Sequence, residues 1–449
     1  MSKQLVVSHA GAGLSPCDIA DNFADLHPPL DRGAAAAEAS RCLYCYDAPC
    51  MNACPTHIDI PGFIHQIATD NALGAAQRIL NENIMGGTCA RACPTEILCE
   101  GACVVNKTEG APVKIGQLQR FAVDRLLDAP SPHPFGRAPA SGRRMAVVGA
   151  GPAGLSFAHR AAMLGHDVDV YEARPKAGGL NEYGLATYKM VDDFAQREVA
   201  FLLGIGGIAL HSGKMLGRDI HLDDLAREYD AVFLALGLGG AARLDVPGEE
   251  LSGVGDALGF ISRLRQEADK SAVAVGGQVV VIGGGNTAID AAMQARCLGA
   301  ASVTLAYRRG PEQMGATAWE QDLARLNGIA IRTWAQPVAI EGDGHVERVR
   351  FAVTELVDGR LAATGETFVL PADQVLVAVG QQMVRTGLDG LRADGAKLWV
   401  DDDYQTSRPG IFAGGDCIRR GDDLTVQAVE DGKQAAVRVD ARLRAKGRD

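Results

Sequence analysis

Two stretches of this sequence share one order of apolar strand, glycine-rich turn and helix. The first, MAVVGAGPAGLSFAHRAAMLG, begins at Met145, and the second, VVVIGGGNTAIDAAMQARCLG, begins at Val279. A later pair also repeats: DAVFLALG ends at Gly237 and DQVLVAVG ends at Gly380. This plan is typical of dinucleotide-binding α/β folds. We therefore predict two α/β Rossmann-like nucleotide-binding domains in one chain.

The first turn has glycines at positions 149, 151 and 154. Gly149 permits the tight turn, Gly151 permits close approach of a pyrophosphate to the backbone, and Gly154 permits close packing of helix on strand. Glu172 ends the next strand, VDVYEAR. A carboxylate there accepts hydrogen bonds from ribose hydroxyls, so the set predicts a dinucleotide site and not an empty glycine turn.

The second turn differs at the position equivalent to that acid, because its strand SVTLAYRR ends in Arg308 and Arg309. Arginines form charge-assisted, often bidentate bonds to a 2′-phosphate, which an acid would repel. This unit is therefore predicted to bind NADPH in preference to NADH; the alternative is that the arginines form a solvated face or salt bridges. Its predicted turn contacts are Gly283, Gly285, Asn286 and Thr287.

A segment near the end of the chain assigns the first turn to FAD. GIFAGGDCIRRGDDLTVQAVEDGKQAA, from Gly410, resembles the C-terminal flavin signature of two-dinucleotide flavoproteins, in which the aspartate of GGD meets the ribityl chain. Asp416 occupies that position. A helix from Thr425 would direct its N-terminus at the flavin N1–C2 edge and stabilise negative charge there. Further predicted flavin contacts are Gly179, Leu180, Thr425 and Val426.

These assignments predict a discontinuous FAD-binding domain. It comprises residues 143–255 and 380–449 and is interrupted by an NAD(P)H-binding domain at 256–379. The segment DAPSPHPFGRAPASGRR is rich in Pro, Gly and Ser and reads as a linker. Residues 1–135, before and within this linker, are predicted to form an α-helical domain with two [4Fe-4S] clusters, for the reason given next.

Eight of the eleven cysteines lie in two runs. The first run is Cys42-x2-Cys45-x4-Cys50-x3-Cys54 followed by proline, and the second places cysteines at 89, 93, 99 and 103. A cysteine run closed by Cys-Pro is the bacterial ferredoxin pattern, in which the last cysteine ligates the other cluster. Cys54 would then cross to a second cluster, and spacing leaves open which residue completes the first. Two zinc sites and disulfides are the alternatives.

Together these motifs, in this order, resemble the flavin and iron–sulfur subunit of bacterial dihydropyrimidine dehydrogenase and, more distantly, the glutamate synthase small subunit. The resemblance implies that Cys103 joins Cys42, Cys45 and Cys50 in one [4Fe-4S] cluster. It implies that Cys54, Cys93, Cys99 and the side-chain oxygen of Gln119 hold the other. Glutamate synthase relatives tend to carry glutamate at the last position, so Gln119 favours the pyrimidine enzyme. Cys89 is then a spare thiol, or the rival eighth ligand.

The resemblance also implies a division of labour. NADPH would reduce FAD, and the two clusters would pass electrons to an FMN- and iron–sulfur-containing catalytic subunit in a hetero-oligomer. That partner would reduce uracil or thymine to the 5,6-dihydro form, because this chain has no strand-helix series for an FMN barrel. No acid, base or nucleophile is predicted as catalytic. Alternatives are a glutamate synthase small subunit, an NADPH:ferredoxin-type reductase subunit, and a non-catalytic redox sensor.

Charge and termini limit the other function classes. The net charge of −11 argues against nucleic acid and anionic membranes as partners. No apolar run is long enough for a membrane span, and MSKQLVVSHAGAGL lacks a signal-peptide core, so a cytoplasmic protein is expected. Glu320 and the segment YKM lie outside these motifs. Glu320 reads as a solvated helix glutamate in preference to one facing the nicotinamide, and YKM at Tyr188 replaces a segment that often ends Arg-Leu in relatives.

Overall fold

Residues 14–130 and 132–446 are described by the structure, which is a computed structural model. The first 13 residues, including most of the segment considered for a signal peptide, lie outside the described residues. Before Arg144 the described chain forms helices only: α1 (Pro16–Asn22), α2 (Arg32–Ala39), α3 (Pro49–Asn52), α4 (Ile60–Ala68), α5 (Ala72–Glu82), α6 (Gly86–Ala92), α7 (Val104–Glu109) and α8 (Ile115–Asp128).

Strands and helices alternate after that point. The next elements are β1 (Arg144–Val148), α9 (Pro152–Met163), β2 (Asp167–Glu172), α10 (Leu180–Tyr183), α11 (Phe194–Leu203), β3 (Ile208–Ser212), α12 (Leu222–Glu228), β4 (Ala231–Leu234) and β5 (Gly240–Ala241). They are followed by β6 (Val254–Asp256), α13 (Ala257–Gln266), β7 (Gln278–Ile282), α14 (Asn286–Cys297), β8 (Ser302–Ala306), α15 (Ala318–Leu326), β9 (Ala330–Arg332), β10 (Ala335–Glu341), β11 (Arg348–Val357) and β12 (Arg360–Pro371). The chain ends with β13 (Gln374–Val377), β14 (Gln381–Gln382), β15 (Ala393–Asp394), β16 (Lys397–Leu398), β17 (Ile411–Ala413) and α16 (Thr425–Lys446).

The chain divides into two units, which we call the larger and the smaller unit. The larger unit contains residues 27–182 and 192–239 and the described residues from 383 onward. The smaller unit contains the described residues up to 26, together with 183–191 and 240–382. The predicted α-helical and FAD-binding domains both fall in the larger unit, apart from residues 14–26, 183–191, 240–255 and 380–382, which belong to the smaller unit. Residues 14–26 join the smaller unit because Ile19, Phe23 and Leu26 are buried in its core.

The larger unit is built on a five-stranded sheet in the order β17-β4-β1-β2-β3, and every pair in it is parallel. β1, β4 and β17 are almost wholly buried, as expected of parallel strands covered on both faces. β17 comes from near the end of the chain, so two distant segments complete this sheet. α16 crosses α9 closely at Gly432, where an added Cβ would lie 2.1 Å from the carbonyl oxygen of Ala153.

The helices before the first sheet belong to the same larger unit. Phe63 and Ile64 of α4, Ile79 of α5 and Leu118 of α8 are fully buried in one core with the sheet residues. The apolar spacing of IPGFIHQIATDNALGAAQRILNENI predicted helix here, and the segment forms α4 and α5 with a break at 69–71. Within the described residues, no helix combines the length and apolar composition needed to cross a membrane.

The smaller unit repeats the parallel plan in the order β6-β13-β7-β8-β9. A three-stranded antiparallel sheet, β10-β11-β12, is attached to it in sequence between β9 and β13. The N-terminal helix α1 begins with a capping box formed by Ser15 and Asp18. The Asn22 amide at the end of α1 donates to the carbonyl of Cys297 at 3.1 Å, which fixes α1 on α14.

Candidate functional site

Four of the clustered cysteines line one pocket. Cys42, Cys45 and Cys50 come from the loop before α3 and from α3 itself, and Cys103 comes from the residue before α7. The rest of the lining is mainly apolar: Leu43, Pro49, Ile60, Pro61, Ile64, Val104, Val105, Val113 and Ile115. The structure therefore brings Cys103 to the first three cysteines of the first run, across more than 50 residues of sequence. Four thiols in an apolar pocket fit the donor set of an iron–sulfur cluster.

The electrostatics of this pocket favour neutral thiols when no metal is bound. Burial raises the pKa of the Cys50 thiol to about 12, with further contributions from the neighbouring Cys103 and Cys42. Burial likewise raises the pKa of Cys42, and Cys103 and Cys45 add to the effect. A bound metal would have to displace these protons, because thiolate is the ligand form.

The remaining cysteines of the two runs form a second group. A hydrogen bond with Cys89 raises the pKa of Cys93, and burial and the neighbouring Cys89, Cys99 and Cys54 raise it further. Burial raises the pKa of Cys99, followed by contributions from Glu100 and Cys54. Cys54 is buried and contributes to the raised pKa of both Cys93 and Cys99, and Cys50 also contributes to that of Cys99. The structure thus brings Cys42, Cys45, Cys50 and Cys103 to one pocket, and the assignment of Cys54, Cys93 and Cys99 to a second cluster stays a prediction.

Gln119 contacts the helix α6 that carries Cys89. The Gln119 side chain is buried on α8, and its Nε2 donates to the carbonyl oxygen of Gly86 at 2.7 Å. Gly86 begins α6, the helix that carries Cys89 and ends just before Cys93. Since the nitrogen of the Gln119 amide is engaged by Gly86, its oxygen is the atom left to act as a ligand. Gln119 thus lies against α6 and Cys89 lies within it, and the choice between the two as eighth ligand stays a prediction.

The zinc alternative requires side chains that converge on one point. In the part of the chain that the structure describes, no three His, Cys, Asp or Glu side chains converge as ligands of one ion would. A structural zinc ion needs four ligands about one centre. The ligands of a four-iron cluster bind different iron atoms and lie further apart than those of one zinc ion.

Helix α6 is fixed by a residue that sequence reasoning missed. The buried Glu198 carboxylate of α11 accepts hydrogen bonds from the backbone N–H of Gly87 at 2.8 Å and of Thr88 at 3.0 Å, and from the Thr88 hydroxyl. These donors lie in the first turn of α6, where a carboxylate is favoured. Burial raises the pKa of Glu198 to about 7, against the opposing effect of Thr88. No local sequence signal connects Glu198 with the cysteine runs.

The first glycine turn is held by the acid predicted for ribose. Glu172 Oε2 accepts from the backbone N–H of Ala150 at 2.8 Å, and its Oε1 accepts from Arg174 N–H at 2.8 Å. Gly149 has φ +103°, a conformation that suits glycine. Gly179 packs against Gly151, since an added Cβ would lie 2.7 Å from the Gly151 Cα. The turn, Glu172 and Gly179 therefore form one cradle at the N-terminus of α9, where Gly154 lies.

The predicted flavin residues from the end of the chain lie in the same unit. The Thr425 hydroxyl donates to Asn181 Oδ1 at 3.0 Å, and Asn181 follows Leu180 in α10. Burial raises the pKa of Asp416 to about 6, and Asp423 adds to this. Asp431 of α16 holds the preceding glycine, because its carboxylate accepts from Gly415 N–H at 3.0 Å. Neither Asn181 nor Asp431 was predicted as a site residue. Asp431 lies in VEDGKQAA, the end of the flavin signature segment, so that motif could have pointed to it. No motif points to Asn181. Val426 is buried beside Thr425 in α16.

The second glycine turn precedes α14 in the smaller unit. Gly283 has φ +153°, Gly285 caps α14, and Asn286 and Thr287 form its first turn. Asn286 Oδ1 accepts from Thr317 N–H at 3.4 Å, which ties the turn to α15.

Arg308 and Arg309 follow β8 and are both exposed. The salt bridges found among the described residues do not include either guanidinium, and the Arg308 carbonyl accepts from the Thr354 hydroxyl at 2.7 Å. The alternative of an arginine salt bridge therefore gains no support from the described part of the chain, and both guanidinium groups are available to an anion.

The expectation that Glu320 is solvated is wrong. Glu320 is buried, and its carboxylate accepts a hydrogen bond from the Lys189 ammonium at 2.5 Å. Lys189 also lies 2.7 Å from Asp290 of α14, and the Tyr188 hydroxyl donates to Asp290 at 3.1 Å. Burial would favour a neutral lysine, but the two carboxylates outweigh it and raise the Lys189 pKa. Tyr188 and Lys189 of the YKM segment thus form a buried cluster with Asp290 and Glu320, a role that the sequence alone did not indicate.

Two family descriptions match this chain. Residues 19–130 match dihydropyrimidine dehydrogenase domain II, 4Fe-4S cluster, and residues 143–432 match pyridine nucleotide-disulphide oxidoreductase. An iron–sulfur domain is therefore followed by a pyridine nucleotide oxidoreductase domain, as the sequence predicted. The predicted oxidoreductase class and its cofactor types are confirmed at this level.

Curated relatives cover nearly the whole chain. The glutamate synthase [NADPH] small chain of Escherichia coli K12 is 34% identical over 439 residues, which is 92% of this chain and 92% of that protein. The NAD-dependent dihydropyrimidine dehydrogenase subunit PreT of Salmonella typhimurium LT2 is 34% identical over 418 residues, covering 92% of this chain and 96% of that protein. The resemblance that the motifs predicted is confirmed. Overall identity does not separate the dihydropyrimidine dehydrogenase relatives from the glutamate synthase relatives.

Solved structures support the fold. Mycobacterium tuberculosis FprA in complex with NADPH aligns with a TM-score of 0.58 at 23% identity, covering 69% of this chain and 86% of that one. Lactococcus lactis thioredoxin reductase aligns with a TM-score of 0.54 at 23% identity, covering 68% of this chain and 99% of that one. At this identity the likeness extends to the fold alone.

Proposed function

Because this chain belongs to the pyridine nucleotide-disulphide oxidoreductase family and carries an iron–sulfur domain of the dihydropyrimidine dehydrogenase type, we propose that it is an electron-input subunit. In this proposal it oxidises NADPH with FAD and delivers the electrons through two [4Fe-4S] clusters. The recipient is a separate FMN- and iron–sulfur-containing subunit, which reduces uracil or thymine to the 5,6-dihydropyrimidine. The observation that carries the proposal is the pocket lined by Cys42, Cys45, Cys50 and Cys103.

Bound FAD would supply hydride acceptance from the reduced nicotinamide, and bound iron–sulfur clusters would supply one-electron transfer. The chain's own residues bind and orient. The cradle of Gly149, Gly151 and Gly154 presents the N-terminus of α9 to a pyrophosphate, and Glu172 fixes that turn. Thr425 begins α16, and the positive end of this helix's dipole would face the bound flavin. No side chain needs to move a proton, so none is proposed as an acid or base.

The nicotinamide preference follows from Arg308 and Arg309. Both are exposed just after β8. The equivalent strand of the first glycine unit, β2, ends instead in the acid Glu172. Paired guanidinium groups favour the 2′-phosphate of NADPH. The PreT relatives are called NAD-dependent, whereas the glutamate synthase relatives are called NADPH enzymes. The proposed cofactor therefore differs from that of the pyrimidine relatives, and the arginine pair is the reason.

The second candidate function is a glutamate synthase small subunit. The 34% identity to the Escherichia coli small chain, equal to that of the PreT relative, supports this candidate as much as the first. Against it stands Gln119, since the implied ligand of that branch is a glutamate. Both candidates share the electron-input role and differ only in the partner that receives the electrons.

The ligand proposal makes a prediction about Gln119 and Cys89. In Gln119→Ala we expect the second cluster to be lost and about half of the iron with it, because an alanine offers no ligand atom. In Cys89→Ala we expect both clusters to remain. Iron content per chain and the electron paramagnetic resonance (EPR) spectrum of the reduced protein measure this. The opposite pattern, with iron lost only in Cys89→Ala, would replace Gln119 by an all-cysteine site.

The partner can be identified directly. The tagged chain is purified under anaerobic conditions from its native cell, and co-purifying chains are identified by mass spectrometry. We expect a chain with an FMN barrel and its own iron–sulfur motifs. Recovery of a glutamine-amidotransferase chain instead would contradict the pyrimidine proposal and establish the second candidate. A catalytically silent sensor is excluded if the same preparation oxidises NADPH with ferricyanide.

A further inference from the structure

A buried lysine joins the flavin-side helix to the cysteine domain. Lys433 lies on α16, about two turns beyond Thr425 and Val426, and its residue is 7% exposed. Its ammonium lies 2.8 Å from Glu430 Oε2 and 3.1 Å from Glu82 Oε2. It also donates to the carbonyl oxygen of Thr56 at 3.4 Å. The three partners come from α16 itself, from the end of α5 and from the loop that follows Cys54.

Thr56 connects this ammonium to a proposed cluster ligand. The Thr56 hydroxyl lies 3.3 Å from Cys54 Sγ, and Thr56 is fully buried. One residue therefore contacts the lysine through its carbonyl and the cysteine through its side chain. Since Cys54 is the proposed ligand that crosses to the second cluster, the positive charge of Lys433 is placed close to that cluster.

The charges around Lys433 differ in their exposure to water. The Glu430 side chain is 13% exposed, whereas that of Glu82 is 37% exposed. Arg160 is also close: burial lowers its pKa, and Glu82 and Glu430 oppose this. Charges in a low-dielectric interior act more strongly than exposed ones. The charge of Lys433 should therefore change the electrostatic potential at the neighbouring cluster more than the charge of Glu82 does.

We propose that Lys433 is a positioning residue that raises the reduction potential of the cluster held by Cys54. This inference rests on the proposed function. One-electron reduction adds one negative charge at the cluster, and the electron comes from the flavin that NADPH has reduced. A fixed buried ammonium stabilises the reduced, more negative form more than the oxidised form. Lys433 thereby favours electron transfer from the flavin side into the cysteine domain.

A purely structural role for Lys433 would give different results from an electrostatic effect on the cluster. If Lys433 only fastens α16 to α5, removal of either charged partner destabilises the chain and leaves the cluster potential alone. If its charge acts on the cluster, removal of the cation and removal of a neighbouring anion shift the potential in opposite directions. Lys433→Met and Glu82→Gln therefore separate the two roles, with Lys433→Arg as the conservative variant.

The test is an anaerobic redox titration of the full chain with bound clusters, followed by EPR. In Lys433→Met we expect the ratio of reduced to oxidised second cluster at a fixed potential to fall about tenfold, which is about 59 mV for a one-electron couple. Glu82→Gln should shift the midpoint upward by less, and Lys433→Arg should restore the wild-type value. Arg438→Met removes one charge from the 57% exposed side chain on the same helix and should leave the midpoint unchanged.

Two outcomes overturn the inference while leaving the proposed function intact: unchanged midpoints in Lys433→Met with full iron content, or shifts of the same sign in Lys433→Met and Glu82→Gln. If Lys433→Met does not fold, Lys433→Gln removes the same charge, and an unchanged midpoint in that variant with full iron content overturns the inference equally. A wild-type chain that assembles no second cluster contradicts the ligand assignment of the proposed function, and this inference falls with it.

Discussion

Replacing Cys103 by alanine is expected to remove one whole cluster. Cys103 lies in the pocket with Cys42, Cys45 and Cys50, and an alanine leaves three thiolates for a four-ligand site. We expect iron to fall from about eight to about four atoms per chain, with one EPR signal lost. Electron delivery to the partner subunit should fall to background, because the route through the clusters is interrupted. Bound flavin, measured by absorbance, should remain.

Cys17→Ala provides the matched control. Cys17 is an exposed cysteine of α1 in the smaller unit, outside both cysteine runs. It should retain full iron content and full delivery to the partner. Unchanged iron in Cys103→Ala would show that the first cluster takes its fourth ligand elsewhere. Loss of all the iron would show that the two cysteine sets do not bind independently.

Replacing Arg308 and Arg309 together by glutamine is expected to abolish the preference for NADPH. Each charge-assisted hydrogen bond to a phosphate contributes about 1.5–3 kcal/mol, and exposure to water reduces this. A combined loss of about 2.8 kcal/mol corresponds to a rise of about 100-fold in the KM for NADPH. The KM for NADH, which has no 2′-phosphate, should change by less than about threefold. Steady-state assays with ferricyanide as acceptor measure both constants.

Arg360→Gln is the control for this change. Arg360 is an exposed arginine at the start of β12 in the same unit, remote in sequence from the glycine turn. Its KM values should match those of the wild type. Equal increases for NADPH and NADH in the double variant would mean that the arginines support the fold or the shared part of the nucleotide. No increase for either would place the 2′-phosphate elsewhere.

Local sequence patterns predicted the strands, turns and helices whose conformation depends on residues close together in the chain. The strand, glycine turn and helix series predicted β1 with α9 and β7 with α14, because glycine and apolar periodicity specify these turns and strands directly. The cysteine spacing assigned Cys42, Cys45 and Cys50 to one set. It could not assign Cys103, since the loop that returns it to the pocket depends on how α4, α5 and α8 pack.

The contacts that sequence reasoning missed connect residues far apart in the chain. Glu198 fixes the first turn of α6, and Lys433 reaches the loop after Cys54. Neither pairing has a spacing rule, because both arise when helices from distant segments meet in one unit. Glu320 was predicted to be a solvated helix glutamate, yet it is buried and Lys189 supplies a partner for its charge. Charged residues that pair at long range look like surface residues in the sequence.

NADPH oxidation by the native anaerobic complex tests the central claim most directly. The complex is assayed with uracil, and separately with glutamine plus 2-oxoglutarate, and NADPH is followed by its absorbance. The account predicts uracil-dependent oxidation with formation of 5,6-dihydrouracil and no response to glutamine plus 2-oxoglutarate. Oxidation that depends on glutamine and 2-oxoglutarate, with none on uracil or thymine, would contradict the pyrimidine assignment and make this chain a glutamate synthase small subunit.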